Sequence, residues 1–262
     1  MTSTTPAGTP AGTPGAPCWI ELFTHDTDGA RRFYAELFGW EAWEADPQFG
    51  GYFMFARDGA PVAGCMPNDG TMGGPSAWGT YLHTPDAAAT VAAVAAHGGK
   101  VDVEPMPVGD AGTMAWISDP AGAAVGLWQP ADHPGFVALR EPGAPAWFEL
   151  HTDGYDAAVA FYRDALGWDA RTHSDGPDFR FTTNGPDEAA LCGIEDAAAS
   201  LGGRPSHWVV YLAVADTDAT AERARALGGS VTAEPADTPY GRIAEIADPA
   251  GLSFRVLGPN RS

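Results

Sequence analysis

The chain has 262 residues, enough for two domains of about 130 that can each bury a core. Its 14 Lys and Arg stand against 34 Asp and Glu, a formal charge of −20 that repels phosphate backbones and anionic lipid and so excludes nucleic acid and membrane surfaces as partners. The cysteines Cys18, Cys65 and Cys192 lack CxxC spacing, which excludes a disulfide framework and a zinc knuckle and points to a reducing cytoplasm, and no apolar run reaches the ~20 residues that span a bilayer.

Residues 1–17, MTSTTPAGTPAGTPGAP, have neither a cationic start nor an apolar stretch, and are expected to be a disordered tail rather than a secretion signal. An alternating strand, WIELF, comes next. It leads into a helix over DGARRFYAELFG, with Phe33, Leu37 and Phe38 at helical spacing and Gly39 as C-cap. Three short segments of strand character follow, WEAWEA, YFMFAR and PVAGCM, broken by Pro, Asp and Gly. The stretch NDGTMGGPSAWG then reads as an ordinary connection or as a lip over a cavity. The cycle runs again as strand GTYLHT, helix DAAATVAAVAAHGG and strands KVDVE, TMAWIS and AAVGLW.

After a linker at 131–145, the whole order starts over. CWIELFTHDTDGARRFYAELFGW is answered by AWFELHTDGYDAAVAFYRDALGW, with Trp19/Trp147, Glu21/Glu149, Phe33/Phe161, Tyr34/Tyr162 and Trp40/Trp168 in register. ISDPAGAAVGLW is answered by IADPAGLSFRVL. A match held over about 110 residues is the mark of a duplication. The expected fold is α+β: two tandem domains, 18–130 and 146–258, each of two βαβββ modules that form a curved mixed-sheet cup, four modules in all.

The βαβββ pattern, FYxxLFGW closing the first helix and DPAG turning into the last strand resemble the vicinal oxygen chelate superfamily of glyoxalase I, bleomycin-resistance proteins and extradiol dioxygenases, in its fused two-domain actinobacterial form. The resemblance implies the fold, and it implies that metal-dependent members hold an ion inside the cup with four His, Gln or Glu side chains. Those positions fall on Trp19 and Trp147 in the first strands and on Gly126 and Arg255 in the last strands. The other two fall near Gly79 and Val209, and near Gly64 and Leu191. Indole is a donor only, and guanidinium is a fixed cation, so no metal and no other cofactor is expected. The histidines, including His25, His97, His133 and His173, show no HxH or HExxH spacing.

Strand alternation carries Glu21 and Phe23 to the same face as Trp19, and Glu149 and His151 to the same face as Trp147. Tyr81, His83 and Trp128 join the first cup, and His207, Tyr211 and Arg255 join the second. The acid–base candidates are Glu149 with His151 and Glu21 with Tyr81. Trp19, Phe23, His83, Trp128, Trp147, His207, Tyr211 and Arg255 are the candidates for ligand contact. On the opposing reading, Trp19 and Trp147 are core plugs and the glutamates are internally paired. Aromatic walls with protonatable groups suit a planar aromatic or phenolic small molecule. The expected activity is metal-free acid–base tailoring in secondary metabolism, by dehydration, cyclisation or ketal formation. The alternatives are sequestration of such a molecule without turnover, as in resistance proteins, and a metal-dependent glyoxalase or dioxygenase. A monomer or a homodimer fits two fused domains.

Overall fold

In this computed structural model, residues 12–70, 74–186 and 189–261 are described. The expected order of elements appears twice. The first copy runs β1 (Pro17–Thr24), α1 (Thr27–Phe38), β2 (Glu41–Ala42), β3 (Phe53–Arg57), β4 (Ala60–Pro67), β5 (Ala77–His83), α2 (Ala87–Ala96), β6 (Lys100–Val108), β7 (Gly112–Ser118) and β8 (Ala124–Pro130). The second runs β9 (Pro145–Thr152), α3 (Tyr155–Leu166), β10 (Arg171–Asp175), β11 (Arg180–Thr183), β12 (Cys192–Asp196), β13 (His207–Ala213), α4 (Thr217–Ala226), β14 (Ser230–Thr238), β15 (Gly241–Ala247) and β16 (Ser253–Gly258).

Each copy makes one eight-stranded mixed sheet, ordered β2-β3-β4-β1-β5-β8-β7-β6 and β10-β11-β12-β9-β13-β16-β15-β14. The two modules of a copy meet where their first strands pair antiparallel, β1 with β5 and β9 with β13. Helix starts follow from local chemistry. The Asp26 carboxylate accepts from Gly29 N at 2.8 Å, and Gly39 closes α1 with φ 71°.

One face of each sheet is mostly apolar, with a few buried threonines such as Thr24, Thr80 and Thr152. Ile20, Leu22, Leu82, Val125 and Leu127 are fully buried there, in a core that also holds Phe148, Leu150, Leu212 and Val256 of the second copy. The sequence motifs prove to be the fastening between the copies. The Tyr34 hydroxyl donates to Asp248 at 3.2 Å and accepts from Trp78 Nε1 at 3.1 Å. The mirrored pair is Tyr162 donating to Asp119 at 3.4 Å and accepting from Trp208 Nε1 at 3.1 Å. The FY of each first helix thus reaches the DPAG turn of the other copy.

Two expectations change. The disordered tail expected over 1–17 lies outside the described residues through residue 11, but Gly12 to Pro17 are built into the fold. Trp168 Nε1 donates to Gly15 O at 2.8 Å, Gly15 N donates to His83 O at 2.8 Å, and Pro17 opens β1. Gly15 sits at φ 73° with the Trp168 ring so close that a Cβ would lie 2.6 Å from it, so the position needs glycine. The linker is held in the same way: Trp40 Nε1 donates to Gly143 O at 2.7 Å, and Phe136 N donates to Cys18 O at 2.8 Å. The strand expected over WEAWEA shrinks to Glu41–Ala42, because Trp40 is drawn into the core. Residues 71–73 of the candidate lip lie outside the described residues. Among those described, no helix is long and apolar enough to cross a membrane.

Candidate functional site

Strand alternation sends Trp19, Glu21, Phe23, Tyr81 and Trp128 to the face opposite the helices, as the period of two requires. In the first copy these side chains fill that face themselves. A Cβ added to Gly126 would lie 2.3 Å from Tyr81, one on Gly79 would lie 2.7 Å from Trp116, and one on Gly64 would lie 2.2 Å from the Tyr52 hydroxyl. Rings therefore occupy the space that longer side chains at these positions would take. Trp19 Nε1 donates to the Tyr52 hydroxyl at 3.3 Å, and its ring meets His133 edge-on at 4.5 Å. Trp128 Nε1 donates to His133 O at 2.9 Å, and Phe23 meets Trp116 at 5.6 Å. Gly12 lies against the ring of His83, whose buried Nδ1 has no partner among the described residues.

Glu21 is sealed inside this aromatic packing, with the Tyr81 hydroxyl donating to Oε2 at 2.6 Å. Burial raises its pKa from 4.5 to about 7, and the hydrogen bond from Tyr81 opposes the rise. In YFMFAR, Tyr52 turns inward and Phe53 and Phe55 join the core.

The second copy places different chemistry at the same lattice points. Pairing lines up Phe181, Glu195, His151 and His207 in one row across β11, β12, β9 and β13. The next row is Thr183, Gly193, Glu149 and Val209. Beyond it Tyr211 faces Trp147 on one side and Arg255 on the other, and Arg255 faces Glu245.

Glu149 is the hub. Its Oε1 accepts from His151 Nε2 at 2.8 Å and from the Tyr211 hydroxyl at 2.8 Å, and its Oε2 accepts from Trp147 Nε1 at 3.1 Å. Arg255 Nη1 lies 3.7 Å from Oε1, donates to the Tyr211 hydroxyl at 2.5 Å, and has Glu245 3.3 Å from its Nε. Burial alone would push Glu149 up. The hydrogen bond and charge of His151, then Tyr211 and Arg255, outweigh burial and hold the carboxyl below its ordinary 4.5. A carboxylate supplied with that many donors is an anchor for its neighbours rather than a strong base.

Glu195 was not singled out in the sequence, yet its Oε2 stands 3.7 Å from His151 Nε2 and its side chain is 26% exposed. Burial, then the negative charge of Glu149, raises its pKa against the pull of His151 and Arg255. His207 lies with its ring 5.7 Å from that of His151, and its Nδ1 is 2.9 Å from Pro205 O. Burial lowers its pKa, opposed first by that carbonyl. Beside these groups lies a tier of rings. Phe181 lies 6.5 Å from Trp147 and stacks at 5.7 Å on Phe179, which is 42% exposed.

A metal ion at the family's positions finds no donors. In the second copy they are Trp147, which donates to Glu149, Val209, Arg255 and Gly193, whose would-be Cβ lies 2.4 Å from the Phe181 ring. The register Glu149↔Gly193, against Glu21↔Gly64 in the first copy, shows Gly193 rather than Leu191 to be the counterpart of Gly64; the loop before β12 had shifted the count. Away from those positions, donor atoms of Glu149, His151 and Glu195 lie within 4.8 Å of one another. A cation among them would face the Arg255 guanidinium and displace the donors already seated on Glu149, so this set fits protons and not an ion.

Residues 18–127 and 144–256 match the family described as Glyoxalase/Bleomycin resistance protein/Dioxygenase superfamily. The provisionally named glyoxylase CFP32 of Mycobacterium tuberculosis is 42% identical over 256 residues, which cover 94% of this chain and 95% of that one. The anthracycline biosynthesis protein DnrV of Streptomyces peucetius is 37% identical over 272 residues, 93% of each chain. Among solved structures, the Mn(II)-bound glyoxalase from Novosphingobium aromaticivorans superposes with a TM-score of 0.67 at 18% identity, covering 94% of this chain and 83% of that one, a likeness of fold.

Proposed function

The chain belongs to the Glyoxalase/Bleomycin resistance protein/Dioxygenase superfamily, and from that premise we propose that its second cup binds a planar aromatic small molecule and performs acid–base chemistry on it, dehydration or ring closure, without a metal ion. One observation carries this reading: a tier of rings, exposed Phe179, half-buried Trp147 and buried Phe181, lies beside protonatable groups gathered around one anchored carboxylate. Flat rings stack on such a tier for about 0.5–1.5 kcal/mol per pair beyond the area they bury. Arg255 adds a fixed positive charge beside the Tyr211 hydroxyl, where a phenolate or enolate oxygen is stabilised. The relative DnrV takes part, by its name, in anthracycline biosynthesis, and anthracyclines are polycyclic phenols of the kind this cup suits.

The test is titration with hydroxylated anthraquinones, read by tryptophan fluorescence, followed by mass spectrometry of the recovered ligand. Quenching at micromolar ligand and a product lighter by one water support the reading. Quenching with unchanged ligand supports sequestration instead, and absence of binding overturns both. Turnover should survive dialysis against a chelator; loss of turnover that a divalent metal restores would return the protein to the metal-dependent branch.

A further inference from the structure

The rim row of the second cup holds two groups whose chemistry the hub does not use. Glu195 and His207 sit on the strands either side of β9 and flank His151 at the same level. We propose that they are the acid and the base of the cup: the Glu195 carboxyl gives a proton to a departing hydroxyl, and His207 Nε2 takes one from the neighbouring carbon. This rests on the reading of the second cup as a reaction site.

Each assignment follows from geometry. A carbonyl can only accept, so the contact with Pro205 O puts the proton of His207 on Nδ1. In the neutral ring that leaves Nε2 with its lone pair free. His207 is only half-buried, so this nitrogen can meet a ligand. Glu195 is held differently. Its carboxyl lies among donor atoms of Glu149 and His151 that are all within 4.8 Å, and Glu149 is kept anionic by Trp147, Tyr211 and Arg255. Two carboxylates that close oppose each other's ionisation, so the proton is held longer by the one with fewer donors, Glu195. The pKa directions agree: Glu195 is pushed up by burial and by Glu149, and His207 is pushed down by burial and by the charges of His151 and Arg204, with Pro205 O and Glu245 opposing. The row therefore sets a carboxyl that keeps its proton to higher pH than usual opposite an imidazole that stays neutral to lower pH than usual, one strand apart on each side of His151.

The substrate class is a β-hydroxyketone on an aromatic frame. His207 Nε2 removes the proton between the carbonyl and the carbinol carbon. The C–H electrons form the new C=C bond, the C–O bond breaks onto oxygen, and the oxygen leaves as water with the proton of Glu195. His207 is then imidazolium and Glu195 carboxylate, and the proton passes back from one to the other through His151 or solvent. No oxidant or reductant is needed.

A β-hydroxytetralone is the probe, because loss of water aromatises it to a fluorescent naphthol. Glu195→Gln and His207→Gln are each expected to lower kcat about a hundredfold or more while anthraquinone quenching stays within a few-fold. In wild type, kcat/KM should fall on the acid side as His207 gains a proton and on the alkaline side as Glu195 loses one. The first variant should remove the alkaline limb and the second the acid limb. Should a glutamine variant fail to fold, Glu195→Ala and His207→Asn read the same limbs. Either variant at wild-type rate, or with both limbs intact, overturns the assignment. A wild-type protein that binds the probe and returns it unchanged overturns the acid–base pair but leaves the binding cup standing. A protein that binds neither probe nor anthraquinone overturns the reading beneath it.

Discussion

The two cups share a scaffold and differ at matched positions. Where the first has Met66, Phe23 and Ala77 in one row, the second has Glu195, His151 and His207. Where the first pairs Gly126 with Trp116, the second pairs Arg255 with Glu245. Both keep a glutamate hydrogen-bonded by a tyrosine, Glu21 with Tyr81 and Glu149 with Tyr211. One carboxyl is buried among rings, the other among donors. One copy spends this face on packing while the other holds charge on it, and the glutamate common to both shows how completely the surroundings decide what a carboxyl does.

The sharpest break of the comparison is Glu149→Gln. An amide NH2 must then face one of the donors His151, Tyr211 or Trp147, and Arg255 keeps only Glu245 of its two anions. A loss of about 3–5 kcal/mol is expected at neutral pH, measured by urea unfolding. The pH dependence has a definite sign. Because the folded pKa of Glu149 lies below its ordinary 4.5, its contribution is present above 4.5 and fades as pH falls through the folded value. A variant as stable as wild type would mean that the hub does not bind its donors.

Glu21→Gln should act in the opposite sense. The folded pKa lies above the unfolded one, so wild-type stability drops as pH rises from 4.5 through about 7. The glutamine variant lacks that slope and should gain roughly 3 kcal/mol on the alkaline side, with no gain in acid. Parallel pH–stability curves for the two proteins would show Glu21 to be ionised and solvated, and the first cup to be open.

Much of this was legible in the sequence because it rests on period and repetition. The alternation of WIELF fixed which face Glu21 and Trp19 share, and the register of the copies carried that to Glu149 and Trp147. Two things were not. Glu195 lies on β12, behind a loop longer than its counterpart before β4, so counting from Gly64 landed on Leu191 and the acid went unnoticed. Nor could spacing tell that Tyr52, Trp116 and Tyr81 lie across Gly64, Gly79 and Gly126 and close the first cup: parity says which face a side chain takes, while only packing says whether any room is left beside it.

The smallest expected effect separates the cups by ligand affinity. Phe179 is exposed and packs chiefly on Phe181, so Phe179→Ala should move stability by no more than about 0.5 kcal/mol. It removes one stacking surface from the rim of the second cup, and anthraquinone affinity should fall about three- to tenfold. Trp116→Phe trims a ring of the first cup, where the indole is spent on Phe23 and Tyr81. It should cost stability and leave affinity where it was. The reverse result, affinity lost with Trp116 and kept without Phe179, would move the ligand to the first cup and make the charged row of the second a device of folding.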